Sequence, residues 1–182
     1  GNYELALQNS FKGLELLREV GDQKHEVQIL YTIFVIFHLL GDYEKQAHYA
    51  EESLNLARAI GDRSGEANGL NGLGTARYTF GKYEEAILAL REGAVIAEEI
   101  GEKNVLGKIY DGLGQASFHL ENYQQALEYK NKSLVISNEL GVKQVQSFAH
   151  DGLGEIYTKL NDYPKAFEHF QKSIELRTEM GF

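Results

Sequence analysis

The chain has 182 residues, of which 43% are hydrophobic and 25% charged, and its formal net charge is -9. This length predicts one domain or two small ones, the composition excludes a disordered or collagen-like chain, and the acidic balance argues against a general nucleic-acid binder. The lack of cysteine excludes disulfides and thiolate metal sites. The chain also has no apolar run of the ~20 residues needed to span a bilayer. Together, the lack of cysteine and of such a run favours a cytoplasmic protein without a membrane partner.

Glycines recur every 20 residues and divide the chain into helix-sized segments. They are Gly1, Gly21, Gly41, Gly61, Gly81, Gly101, Gly141 and Gly181, and Glu121 and Asn161 take the two remaining positions. A tyrosine follows alternate positions, at Tyr3, Tyr43, Tyr83, Tyr123 and Tyr163, so the full period is twice as long. A fixed period of this length is typical of a repeat array. Because the chain opens on Gly1 without a secretory signal, we expect a piece of a longer protein.

Between these positions, apolar and small residues recur at steps of three and four, the spacing of one face of an α-helix. The first segment, about residues 3–20, is predicted to be the second helix of a repeat. Full helix pairs follow at about 22–60, 62–100, 102–140 and 142–180. Glycine in the left-handed conformation ends a helix, and Asp22, Asp42 and Asp62 then serve as N-caps. The sequence predicts an all-α chain of about nine antiparallel helices.

The pair at 22–60 departs from the others, since Phe34 aligns with Gly74 and Gln46 with Ala86. Two large residues in place of two small ones predict that this pair splays or shifts register. Its first helix is apolar on nearly every face from Ile29 to Leu40. Such a helix is either buried on all sides or carries an apolar docking surface.

A Gly-Leu-Gly motif recurs at 72–74, 112–114 and 152–154. A glycine inside a helix costs about 1 kcal/mol relative to alanine, so three copies indicate a packing role. We expect close contact with the small residue twelve positions on, which is Ala86, Ala126 or Ala166.

Leu73-Gly74, followed by Gly81-Lys82-Tyr83 and Ala86, recurs in the next two pairs as Leu113-Gly114 with Tyr123 and Ala126, and as Leu153-Gly154 with Tyr163 and Ala166. This pattern resembles the tetratricopeptide repeat in its long 40-residue form. It is similar to that of Pins-type adaptors, kinesin light chains and bacterial peptide-sensing regulators. The resemblance implies an α-solenoid, a right-handed superhelix forming one repeat domain over residues 1–182. It also implies that the first helix of each repeat lines a concave groove.

The resemblance places four candidate groove residues on each first helix. They are Gln28, Tyr31, Val35 and His38; Asn68, Asn71, Thr75 and Tyr78; Lys108, Asp111, Gln115 and Phe118; and Phe148, Asp151, Glu155 and Thr158. The alternative is that these positions only face water.

Asn68 and Asn71 lie one helical turn apart, and we expect their exposed amides to hydrogen-bond an extended peptide backbone. Asp111, Asp151 and Glu155 predict a neutral to basic ligand. Lys108 is the single basic residue in the set, which disfavours a ligand held by its C-terminal carboxylate.

No motif in the sequence indicates catalysis. The six histidines lack metal-binding spacing, and the glycine-rich run 69–74 lacks the strand and the Lys-Ser/Thr of a phosphate loop. We therefore expect no enzyme activity, no cofactor and no metal.

The sequence predicts a non-catalytic protein–protein interaction module within a larger signalling or regulatory protein. One alternative is a peptide-sensing domain that controls an attached output domain. Another is a structural repeat that self-assembles through exposed terminal faces. Those faces are predicted around Phe167, Phe170, Ile174 and Met180, and around Ile33, Phe34, Ile36 and Phe37.

Overall fold

The structure is a computed structural model that describes residues 2–181, so Gly1 and Phe182 lie outside the described residues. Within this range the chain forms nine α-helices and no strand. They are α1 (Tyr3–Val20), α2 (Gln23–Leu40), α3 (Tyr43–Ile60), α4 (Arg63–Thr79), α5 (Tyr83–Ile100), α6 (Lys103–His119), α7 (Tyr123–Leu140), α8 (Lys143–Lys159) and α9 (Tyr163–Glu179). The all-α prediction is confirmed, and the helix boundaries agree with the glycine period to within a residue or two.

The turns are built as the spacing predicts. At the first turn, Gly21 has φ 74°, and the backbone N–H of Asp22 donates to the carbonyl of Leu17. The Asp22 carboxylate then accepts the backbone N–H of His25 at 3.2 Å and caps α2. Glu121 and Asn161 take the same left-handed conformation without being glycine, with φ 60° and 59°.

The helices group into two compact units, Gly1–Ile100 and Gly101–Phe182. In the first unit each of α1 to α4 packs on the next helix in sequence, and α2 also touches α4. In the second unit α6 to α9 pack in the same serial way, and α6 touches α8. Each unit therefore brings the first helices of successive repeats together. The assignment of residues 1–182 to one domain stays a prediction.

The second glycine of each motif lies nearest to a residue other than the predicted one. A Cβ on Gly74 would lie 2.6 Å from Leu90 Cδ2, and one on Gly154 would lie 2.6 Å from Phe170 Cε1. A Cβ on Gly114 would lie 2.8 Å from Lys130 Cγ. The nearest contact is sixteen positions on, because the antiparallel second helix presents its next turn at this point. Ala86, Ala126 and Ala166 are buried, and the expected contact with them stays a prediction.

The pair α2–α3 keeps the common register despite its large residues. Ser53 Oγ donates to the carbonyl of Val27 at 3.1 Å, and Ser133 makes the same bond to Gly107 at 2.8 Å two repeats later. The predicted shift of register is therefore wrong. The predicted splaying stays a prediction.

The apolar face of α2 is buried. Ile33, Phe34, Ile36 and Phe37 are all covered, and Ile33 and Phe37 form a core with Leu14 and Leu30. The prediction that α2 is buried on all sides is wrong, because Thr32, His38 and Leu39 on its other faces are exposed. The expectation of an exposed face around the four covered residues is wrong, because α1, α3 and α4 pack on α2.

Candidate functional site

In the first unit, the predicted groove positions of α2 and α4 meet. Gln28 and His38 are exposed; Tyr31, Val35, Asn68, Thr75 and Tyr78 are half-buried; and Asn71 is buried. The Tyr31 ring lies 5.3 Å from the Phe34 ring, and the Tyr78 ring lies 5.6 Å from the Tyr83 ring. Two of the predicted aromatic residues thus pack on neighbouring rings.

Asn71 is not the exposed amide that the sequence predicts. The residue is 8% exposed, and its Nδ2 donates to the Tyr31 hydroxyl at 3.4 Å. Burial raises the pKa of the Tyr31 phenol, which therefore stays neutral and accepts this bond at physiological pH. The exposure expected for Asn71 is wrong because Tyr31 on the adjacent first helix covers it.

The other polar groups on this face bond to their own helices. Asn68 Nδ2 donates to the carbonyl of Ser64 at 2.9 Å, and the Thr75 hydroxyl donates to the carbonyl of Asn71 at 2.9 Å. These bonds fix the side-chain rotamers.

The second unit carries the other eight predicted residues on α6 and α8. Lys108, Phe148, Glu155 and Thr158 are exposed, while Gln115, Phe118 and Asp151 are half-buried and Asp111 is buried. The Phe118 ring rests on Tyr123 at 5.7 Å, and the Thr158 hydroxyl donates to the carbonyl of Gly154 at 2.8 Å.

Asp111 belongs to a buried ion pair. Lys130 Nζ donates to Asp111 Oδ1 at 2.6 Å, and Gln115 Nε2 donates to Asp111 Oδ2 at 2.9 Å. Lys130 is 1% exposed and occupies the position that Leu90 and Phe170 hold in the flanking repeats. Its methylene chain packs on Gly114 and its amine lies near Gly152.

This pairing changes the predicted charge of the face. Asp151 forms an ion pair with Arg177 at the far end of α9, and Asp111 is neutralised by Lys130. The expectation of three exposed acidic groups is wrong for Asp111. Lys108 and Glu155 remain as its exposed charges and have opposite signs.

The structure brings together two histidines, His150 and His169, that the sequence does not predict to be close. His150 Nδ1 and His169 Nδ1 lie 2.9 Å apart between α8 and α9. Burial and then the charge of His169 lower the pKa of His150, and burial lowers the pKa of His169. Nineteen residues separate the two histidines in sequence, and helix packing alone brings them together.

Across residues 2–181, no group of three or more His, Asp or Glu side chains is arranged to hold a metal ion. In the same range no helix is both long enough and apolar enough to cross a membrane.

Sequence comparison identifies the repeat type over part of the chain. Residues 106–179 match the family model described as tetratricopeptide repeat. A search of the curated proteins found no match.

Solved structures match nearly the whole chain in fold. BtubC from P. vanneervenii has a TM-score of 0.79 at 16% identity, covering 98% of this chain and 75% of its own. A Rap protein in complex with Competence and Sporulation Factor has a TM-score of 0.86 at 20% identity, covering 98% of this chain and 50% of its own. A STAND signal transduction ATPase with a tetratricopeptide repeat sensor, from Pyrococcus horikoshii, has a TM-score of 0.72 at 20% identity, covering 96% of this chain and 28% of its own.

These identities show a shared fold, and the chain spans half or less of the Rap and STAND proteins. Three observations indicate the same repeat fold. They are the helix pairs with the Gly-Leu-Gly contact, the left-handed turns and the family match. Residues 106–179 therefore match the tetratricopeptide repeat by sequence, and nearly the whole chain shares its fold with solved structures that include a tetratricopeptide repeat sensor.

Proposed function

We propose that this chain is a non-catalytic protein–protein interaction module that binds a peptide or protein segment along the first helices of its repeats, within a larger signalling or regulatory protein. The observation that carries the proposal is the contact of Tyr31 with Asn71, which joins the groove faces of α2 and α4 into one surface. Partly buried aromatic rings held by neighbours lose little entropy on binding and commonly supply the anchor contacts of an interface.

The polar groups suit an extended backbone in the first unit. Asn68 offers its amide oxygen as an acceptor, since its Nδ2 is bonded to Ser64. A peptide N–H can donate to such an oxygen irrespective of the peptide's sequence. Specificity would then come from side chains seated between Tyr31, Val35 and Tyr78.

Charge contributes less than the sequence suggests. In the second unit Asp111 and Asp151 are already paired, which leaves Lys108 opposed by Glu155. We propose a neutral to basic ligand on account of the net charge of -9, with only a modest weakening of binding by salt.

Selection of peptides from a random library on the full chain tests this proposal. Thr75→Arg places a long cation in the middle of the α2–α4 face, and binding of the selected peptides should fall by at least about tenfold. Leu88→Arg is the matched control, because Leu88 on α5 is 68% exposed and lies outside the predicted groove. Peptides that bind the Thr75→Arg protein as tightly as the wild type would contradict the proposal.

A sensory role is the second candidate, and two of the similar structures favour it. One was solved with Competence and Sporulation Factor, and the other is described as carrying a tetratricopeptide repeat sensor. In this version, a bound peptide changes the arrangement of the repeats and controls an attached output domain. Fluorescence energy transfer between dyes on α2 and α9 should then change on adding a selected peptide. Unchanged transfer at saturating peptide leaves a passive scaffold as the function.

A further inference from the structure

The Nδ1 atoms of His150 and His169 face each other at a separation that two neighbouring ligands of one metal ion also have. The two Nδ1 atoms lie 2.9 Å apart, and the ring centroids are 5.1 Å apart with planes tilted by 38°. Imidazole nitrogens bind zinc at about 2.0–2.1 Å, which places two adjacent nitrogens of the shell about 2.9–3.4 Å apart. The observed separation falls at the lower end of this range.

The His169 ring is held in place before any ion arrives. The Tyr157 ring stacks on His169 with centroids 5.4 Å apart and planes 13° apart. Lys165 Nζ lies 5.1 Å from the centroid of the Tyr157 ring. A ring orientation fixed by packing lowers the entropic cost of ligation. Both histidines are half-buried, so water can complete the coordination shell.

We propose that His150 and His169 form a two-histidine site for a borderline divalent cation such as Cu²⁺, Ni²⁺ or Zn²⁺, which links α8 to α9. Neutral imidazole is the preferred nitrogen ligand of these ions, and Cu²⁺ should bind most tightly. Each ring must present a lone pair on Nδ1. The one proton now shared between the two Nδ1 atoms therefore moves through solvent to Nε2 of the ring that carries it, and no net proton is released from two neutral rings.

The charges around the pair act in both directions. Asp151 and Glu168 favour a positive charge at His150, whereas Lys172 opposes it. Asp151 is also engaged by Arg177, so it contributes to the field and does not supply a free ligand.

Titration of the full chain with Ni²⁺ and Cu²⁺ at pH 7.5 is the direct test. We expect one tight site per chain, a rise in the thermal unfolding midpoint that saturates with it, and a Cu²⁺ electron paramagnetic resonance spectrum with two nitrogen ligands. His150→Ala and His169→Ala should each weaken the site by at least about tenfold, as loss of a ligand exceeds the usual cost of losing a supporting contact. Mg²⁺, which prefers oxygen ligands, should not bind there.

His119→Ala is the matched control, since His119 is exposed near the end of α6 and lies outside the pair. His48 with Glu52 on the surface of α3 could add weak background binding, and the double variant His150→Gln/His169→Gln measures that background. Helical circular dichroism confirms that each variant is folded. The proposal is overturned if the wild type binds Ni²⁺ no more tightly than this double variant, or if the copper spectrum shows a single nitrogen.

Discussion

Gln46 is a fully buried residue on α3 whose amide nitrogen and oxygen make no hydrogen bond among the described residues. Alanine holds this position in the next three repeats, at Ala86, Ala126 and Ala166. An unsatisfied buried amide costs about 1–3 kcal/mol, so the wild-type residue lowers stability at this site.

Replacing Gln46 by methionine keeps the volume and removes both unsatisfied groups. Gln46→Met should raise the free energy of unfolding by about 1–3 kcal/mol, measured by urea denaturation. Gln46→Ala also removes the amide but leaves a cavity, so it should gain less. A loss of stability in Gln46→Met would mean that the amide has a partner in solution.

Lys130 and Asp111 offer a double-mutant cycle, because an earlier repeat already contains an uncharged version of the pair. Leu90 and Asn71 hold the equivalent positions there. Asp111→Asn alone leaves a buried ammonium without its carboxylate and should cost about 3–5 kcal/mol. Lys130→Leu together with Asp111→Asn should return the stability to about the wild-type value or above it. Equal losses in the single and double variants would show that the ion pair is not the cause.

At the scale of one element, the turn between α6 and α7 is strained by its side chain. Glu121 has φ 60°, a conformation that costs an L-residue roughly 1–2 kcal/mol and glycine much less. Glu121→Gly should therefore stabilise the chain by about 1 kcal/mol in chemical denaturation. Asn161→Gly at the matching turn should gain less, since asparagine tolerates this region. A destabilised Glu121→Gly protein would contradict the argument.

The pairing of α8 with α9 should depend on pH through His150 and His169. Their pKa values are lowered in the folded chain, so the unfolded chain takes up protons first as the pH falls below about 6.5. Above a pH of about 6.5 these rings therefore do not affect stability. Stability is lost as the pH falls from there to the lower pKa values of the folded chain. Unfolding at pH 7.5 and 5.5, with a chelator present, should show a larger loss in the wild type than in His150→Gln/His169→Gln. Equal losses would assign the pH effect to other groups.

At the scale of the whole molecule, α9 exposes apolar residues that are covered elsewhere. Ile174 is 64% exposed although Leu14 and Leu54 are buried at the same repeat position, and Phe167 is 71% exposed. Exposed apolar patches of this kind commonly mediate association.

We expect the chain to self-associate through this face, with a symmetric dimer as the simplest closed form. Light scattering should show that Phe167→Glu shifts the chain toward monomer. Leu88→Glu, at a similarly exposed site on α5, should not. A wild-type chain that stays monomeric at high concentration would refute the prediction.

The repeat period, helix boundaries and turns follow from the sequence because each rests on local signals that recur many times. The contacts of Lys130, Asn71 and the two histidines do not, because each depends on which turn of one helix meets which turn of another. A lysine on an apolar stripe is interpreted as a surface residue unless the carboxylate that pairs with it on the facing helix is known. The candidate groove positions could be assigned from the repeat pattern. The sequence could not predict the ion pair with Lys130 that buries Asp111 and removes it from the exposed charges of the groove.

The lysine at the centre of the second unit also limits how this array could grow by duplication. Asp111 holds the Lys130 amine in place, and a Cβ at position 152 would lie 2.8 Å from that amine. A repeat inserted directly after 102–140 should therefore begin with a helix that carries glycine at this position, as Gly72, Gly112 and Gly152 do. The repeat at 22–60 has Thr32 there. The repeats share one sequence pattern, yet exchanging their order in the chain would disturb this contact.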